Sequence, residues 1–494
     1  MMKPLPSSHA LLLIVTFFVA GSGFHAATGE PPPSASLVDA VENADWKRAE
    51  SLLDHPDTNV AEAVTEVQAD GMTALHWAVQ HGQLSWTRRL LNRGADPDAA
   101  TEYRVTPLSI ACQAGELAVA TALLDGDADP NRKLAGETSC LILASRSGNA
   151  ALVGELIRRG AVVDDSQRDG QTALMFAAVD GHASVIDVLI SAGAEVDRSL
   201  ESGFTPLLLA AREGRTEAVL TLLGHGADLN RAMEPKRTSG RNPRRGMTAL
   251  MLAVESGHFE LAMLLIERGA DPNDEQSQFA PLHAISWVRR AQLGDNPAGD
   301  PEPRGSGNLS SLDFVRAIVA AGADVNLQLR RGGGGRGALS TRGATPLLMA
   351  CHTVDLPLIR LLLELGADPK LTNHDGTTTL LAAAGIGVTN PTEGYPGTPQ
   401  EVAAAIRLLL DLGLDINHVD NNGETAMHGA AYRCFPETVR LVASLGARRD
   451  VWDQENRYGW TPLSIAQGYR PGSFKPEPPT IEAVTEVMRD RAQR

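Results

Sequence analysis

Apolar and small residues recur along this chain at helical spacing, in short blocks separated by glycine. Residues 169–201 show one block. Asp169-Gly170 is a turn dipeptide, and Thr172 follows where a hydroxyl can cap a helix. Leu174 and the pair Ala177-Ala178 then fall on one helical face, and the small alanines predict close helix approach. Gly181 predicts the end of this first helix, as glycine does at left-handed C-caps. Val185, Ile186, Val188, Leu189 and Ile190 form the apolar side of a second helix, which Gly193 ends. In sister blocks a proline follows the threonine (Pro107, Pro206, Pro346, Pro462), which suits a first helical turn because its missing N–H would be unpaired there.

The block repeats. Thr-x-Leu stands at Thr73, Thr106, Thr172 and Thr205, in multiples of 33 residues, and resumes after longer gaps at Thr248, Thr345, Thr378 and Thr461, and at Thr425 with methionine for the leucine. About 21 residues later in each block comes Gly-Ala-Asp or Gly-Ala-Glu, at Gly94, Gly193, Gly226, Gly269, Gly322 and Gly366. A fixed period of this size predicts a stack of like units that bury their faces on their neighbours, which lets a chain of 494 residues avoid a single oversized core.

These motifs resemble the ankyrin repeat family: the Thr-Pro-Leu start, Ala-Ala followed by Gly-His (Gly181-His182, Gly257-His258), Leu-Leu (Leu90-Leu91, Leu222-Leu223, Leu362-Leu363) and Gly-Ala-Asp-Pro-Asn at Gly269–Asn273. The likeness covers roughly residues 36–494. It implies an all-α solenoid of about twelve helix-pair units, with hairpin-like fingers along one edge and atypical first and last units as caps. Departures are scattered: Ser139 and Ala280 for the threonine, Asp127 for the second glycine, Val442-Ala443 for Leu-Leu. The expected layout is a signal peptide at 1–27, a linker and capping helix pair at 28–69, repeats over 70–277 and 278–460, and a C-terminal cap at 461–494.

The N-terminus differs from the rest. Lys3, the apolar run Ala10–Ala20 and the small residues after it read as a secretory signal, too short to span a membrane. The expectation is an exported monomer, periplasmic or extracellular, with no membrane span in its mature part. Four cysteines are too few for a disulfide framework. Cys112 and Cys140 fall near opposite ends of successive first helices, an offset that predicts they form no disulfide, and Cys351 and Cys434 are two repeats apart.

Net charge is −16, which argues against nucleic acid as partner. The cations are concentrated. Repeat spacing breaks at 231–245 and 327–343, after second helices, so both stretches lengthen fingers. Breaks at 291–308, 385–399 and 469–479 fall between the helices of a pair, at the other edge. The first finger insertion carries Arg237, Arg241, Arg244 and Arg245, and the second Arg330, Arg331 and Arg336. Such loops either grip an anionic partner or are simply solvated. One residue before each helix-starting threonine is a slot that faces the concave groove in proteins the chain resembles. Down the array it holds Met72, Val105, Thr138, Gln171, Phe204, Met247, Phe279, Ala344, Thr377, Glu424 and Trp460. Large apolar residues there point to a binding strip, Phe204–Met247–Phe279 above all, or to packing between fingers.

No metalloprotease, phosphate-loop, Cys-x-x-Cys or nucleophile-elbow motif is present. His76, His283 and His428 occupy the fourth place of the Thr-x-Leu-His motif and read as helix-start hydrogen bonders. His374 and His418, in successive loops, make a poor metal site alone. Asp96, Asp129 and Asp271 belong to the repeat turn. The reading is therefore a noncatalytic scaffold without cofactor or metal. It recognises a protein partner through Met72, Val105, Phe204, Met247, Phe279, Trp460 and the basic finger arginines. A receptor for an anionic polymer, or an accessory or inhibitory subunit of an exported enzyme, are the alternatives.

Overall fold

The computed structural model describes residues 36–55, 59–236, 245–290, 303, 305–388, 397–470 and 475–490. Among them are about 26 helices and no strand, only isolated antiparallel bridges such as Lys133 with Ser139 at finger bases. Helices pair as Ala173–Asp180 with Ala183–Ser191, and the roughly dozen pairs repeat that plan. The described residues form two compact units. One holds the chain up to Ala210, Arg215–Asp228 and the residues from Met233 to 236. The other holds Ala211–Gly214, Leu229–Ala232 and the chain from Arg245.

Each helix start is built from the sequence motif. Thr172 lies in extended conformation and its hydroxyl accepts from the Met175 N–H, while Gly181 closes the helix at φ 86°. Ser139 does the threonine's work, accepting from Ile142 N–H, and Asp127 takes the glycine's left-handed conformation at φ 68°. Ala280 has no such substitute, so helix Pro281–Arg289 starts without a side-chain cap.

The motif histidines join neighbouring repeats. His76 Nδ1 accepts from Thr73 N–H (3.2 Å), which leaves Nε2–H to donate to the Val105 carbonyl of the next finger (3.1 Å). His428 repeats this with Thr425 and the Trp460 carbonyl (3.3 Å). His283 donates to the Ala344 carbonyl (3.0 Å), but with Ala280 beside it its buried Nδ1 has no partner. Burial lowers the pKa of all three, to about 4 for His283 and His428, so the rings are neutral.

Asparagines form a second seam. Asn273 Nδ2 donates to the Gly322 carbonyl (3.0 Å) and its Oδ1 accepts from Asp324 N–H (2.8 Å). Asn131, Asn326 and Asn417 make the same two-way contact with the following repeat. The aspartate two positions earlier folds each turn, as Asp271 Oδ1 does by accepting from Asn273 N–H (2.8 Å).

Where pairs are split by inserted chain, ion pairs hold the flanks. Arg289 Nε meets Asp355 Oδ2 at 2.6 Å with Asp355 buried, and Arg290 Nη2 meets Glu401 Oε1 at 2.5 Å. Partial burial would raise the Glu401 pKa, but hydrogen bonds from Arg290 and Thr398 hold it below the usual carboxylate range.

Cys112 and Cys140, on helices Pro107–Ala114 and Cys140–Ser147, are both fully buried and form no disulfide, as their offset predicts. Burial first, then the neighbouring Cys140 thiol, raises the Cys112 pKa well above the usual thiol range. All four cysteines are free thiols.

Candidate functional site

The finger bases and first helices of each unit carry the candidate residues. The proposed strip of Phe204, Met247 and Phe279 does not stand open. Phe204 is 2% exposed and Met247 3%, so both are core, and only Phe279 is half-buried. The inserted chain explains Phe204. Residues 233–236 fold back along its finger: Lys236 N–H donates to the Glu201 carbonyl (2.9 Å), Met233 is fully buried, and the Glu234 backbone lies so near Gly203 that a Cβ there would come within 2.7 Å. At Gly246, beside Met247, a Cβ would come within 1.9 Å of the Gln276 carbonyl oxygen, so those two fingers pack directly.

Met72, Val105 and Trp460 are half-buried in their slots. Arg237, Arg241 and Arg244 lie outside the described residues. Arg245 and Arg331 are exposed. Arg330 is exposed, with its Nε 3.7 Å from Glu275 Oε1 and its backbone N–H donating to Glu275 Oε2 (2.9 Å). Arg336 is exposed but engaged: its guanidinium lies over Trp460 at 4.6 Å and Tyr458 at 5.6 Å, and Nη2 donates to the Tyr458 carbonyl (3.3 Å).

The structure adds residues that the slot rule missed. Trp287 meets Phe279 edge-on, with ring centroids 4.8 Å apart, and both rings are half-exposed. In the other unit Trp77 and Phe176 hold like positions on first helices, with Arg146 5.4 Å above the Phe176 ring and Trp77 Nε1 donating to Gln68 Oε1 (2.8 Å). The signal was in the sequence: Trp77 and Phe176 each stand four residues after a capping threonine, one helical turn into the first helix.

Glu424, a polar slot residue, centres a buried network. Its Oε1 accepts from the Tyr432 hydroxyl (2.8 Å) and Asn456 Nδ2 (3.0 Å), while Asp420 accepts from Thr377 Oγ1 (3.0 Å). Burial, then the neighbouring Asp420 charge, pushes Glu424 up to about 7. Every contact made by this carboxyl is structural.

His418 Nε2 donates to the Gly376 carbonyl (2.9 Å) and His374 lies beside Asp375. Among the described residues no three metal-ligating side chains converge. A hollow of about 170 Å³, lined by Leu250, Thr248, Asp271 and Asp274, is well below the size of ordinary small-molecule sites. No helix among the described residues is long and apolar enough to cross a membrane.

These features define a helix-pair repeat scaffold whose chemistry is that of a surface. Ankyrin repeat models match residues 37–133 and 141–233 (three-copy model), 245–276 and 342–374 (single repeat), and 403–443 (many-copy model). The chain belongs to the ankyrin repeat family, whose arrays are generally noncatalytic protein-binding scaffolds. No curated protein matches it. Among solved structures, the human ASB11 ankyrin repeat domain is similar at 23% identity and a TM-score of 0.41, covering 51% of this chain and 99% of that one.

Proposed function

We propose that this chain is an exported, noncatalytic scaffold that captures a protein partner on the face built by its fingers and first helices. The observation that carries the reading is the half-exposed Phe279–Trp287 pair. Aromatic side chains that keep solvent exposure on a well-packed scaffold are the residues that anchor protein interfaces. Of the basic finger residues, Arg336 is engaged within the chain, on Trp460 and Tyr458.

Crosslinking in cells, followed by mass spectrometry, identifies the partner. Phe279→Ser with Trp287→Ser is expected to cut its capture at least ~10-fold, the loss of an anchor pair, with helical CD and melting unchanged. Capture at the wild-type level by this folded variant refutes the assigned face. Export is tested apart: N-terminal sequencing of native protein is expected to begin about residues 23–30, and an intact Met1 on cytoplasmic protein refutes it.

A further inference from the structure

The second finger insertion is folded as a bound peptide would be. Its neck is pinned where Leu329 N–H donates to the Ala344 carbonyl (3.1 Å) and Gly343 N–H to the Leu329 carbonyl (2.8 Å). Between these ends the chain crosses to elements far away in sequence. Arg336 lies on the Trp460 and Tyr458 rings, more than one hundred residues on. Leu339, only 8% exposed, packs on the backbone of Gly387, where a Cβ would come within 2.4 Å of the leucine Cβ. The Ser340 carbonyl accepts from the buried Asn373 Nδ2 (2.9 Å). The contacts are thus a guanidinium on two aromatic rings, an aliphatic side chain three residues later against a glycine, and a main-chain carbonyl on an amide.

Residues 330–336 leading into this contact are exposed, and four of them are consecutive glycines, Gly332–Gly335. Glycine loses more backbone freedom on ordering than any other residue, so this lead holds the segment in place weakly. Trp460 and Tyr458 need no cation for their own packing: each also contacts the other, at 5.2 Å. A stacking site for arginine built from two rings, and filled through a glycine-rich tether, has the form of a ligand site with an internal occupant.

We infer that Trp460, Tyr458, Gly387 and Asn373 form a site for an extended segment of a partner protein reading Arg-x-x-Leu. Residues 336–340 fill the site in cis until such a segment displaces them. This rests on the scaffold reading above and names the chemistry of one part of that face. A short tether presents the internal segment at an effective concentration on the order of millimolar, so the incoming segment gains when the tether's contacts are removed.

The probe is a fluorescent peptide, Gly-Gly-Arg-Gly-Ala-Leu-Ser-Gly, read by anisotropy on the full chain. Arg336→Gln with Leu339→Ser is expected to bind it at least ~10-fold more tightly than the unaltered protein, because the competing tethered segment is disabled. Adding Trp460→Ala removes the gain, and a peptide with glutamine for arginine does not bind. If the double variant folds poorly, Arg336→Gln alone serves, since that side chain is exposed, with a smaller gain expected. Saturating peptide on the unaltered protein also speeds amide exchange over 332–341. No binding by a folded strap variant, binding indifferent to Trp460→Ala, or unchanged exchange at saturation overturns the inference. Partner capture through Phe279 and Trp287 is measured separately and stands or falls without it.

Discussion

At the scale of single residues, the repeat motif is a hydrogen-bonding circuit, and its one broken link is informative. Thr73 and Thr425 partner Nδ1 of His76 and His428, whose Nε2 reach the next finger, whereas Ala280 leaves helix Pro281–Arg289 uncapped and His283 Nδ1 unpartnered. Restoring the hydroxyl repairs both defects. Ala280→Thr is therefore expected to stabilise the protein by about 1–2 kcal/mol in urea unfolding, the ordinary worth of an N-cap. A destabilised variant would mean the helix start has settled around alanine and has no room for the branched side chain.

At the scale of elements, helices and caps were legible in the sequence because local chemistry dictates them: Thr172, Pro107 and Gly181 act on their own turns. What inserted chain does was not legible. Residues 231–245 and 327–343 read as basic fingers that either grip an anionic partner or are solvated, yet Met233 and Leu339 are buried and Arg336 is stacked. No local pattern encodes which distant surface a loop will meet. Phe204 was misplaced for the same reason, since its slot is open in an isolated repeat and closed by chain arriving from residue 233. The Glu424 network likewise joins three fingers. Its carboxyl titrates at about 7 when folded and 4.5 when unfolded, so between those pH values the folded state keeps a proton that the unfolded state has lost. Stability contributed here falls as pH rises through that window. Glu424→Gln keeps the acceptor for Tyr432 and Asn456 without the charge. It is expected to match the unaltered protein near pH 5 and to exceed it by about 1–3 kcal/mol near pH 8, by thermal or urea melts. Equal stability at both pH values would show that Glu424 stays ionised at no cost.

At the scale of the whole molecule, stability is a sum over neighbours. The array has no central core, so a defect in one repeat is felt first by the repeats it touches. Leu174 is 1% exposed in the middle of its unit. Leu174→Ala is expected to cost about 2–5 kcal/mol and to split urea unfolding into more than one transition, seen as non-coincident CD and fluorescence curves. A change below about 0.5 kcal/mol, as at an exposed site, would place the core on the other helix face.

The asparagine seam has a consequence for ageing. Asn131, Asn273, Asn326 and Asn417 each use the amide in both directions, giving hydrogens to a glycine carbonyl and taking one from an N–H. Deamidation keeps the shape of such a side chain but exchanges the giving group for a carboxylate oxygen. That oxygen would then face the carbonyl of Gly160, Gly322, Gly366 or Gly446, acceptor against acceptor, at the joint between two repeats. Slow chemical damage in this protein would thus loosen seams and leave helices intact.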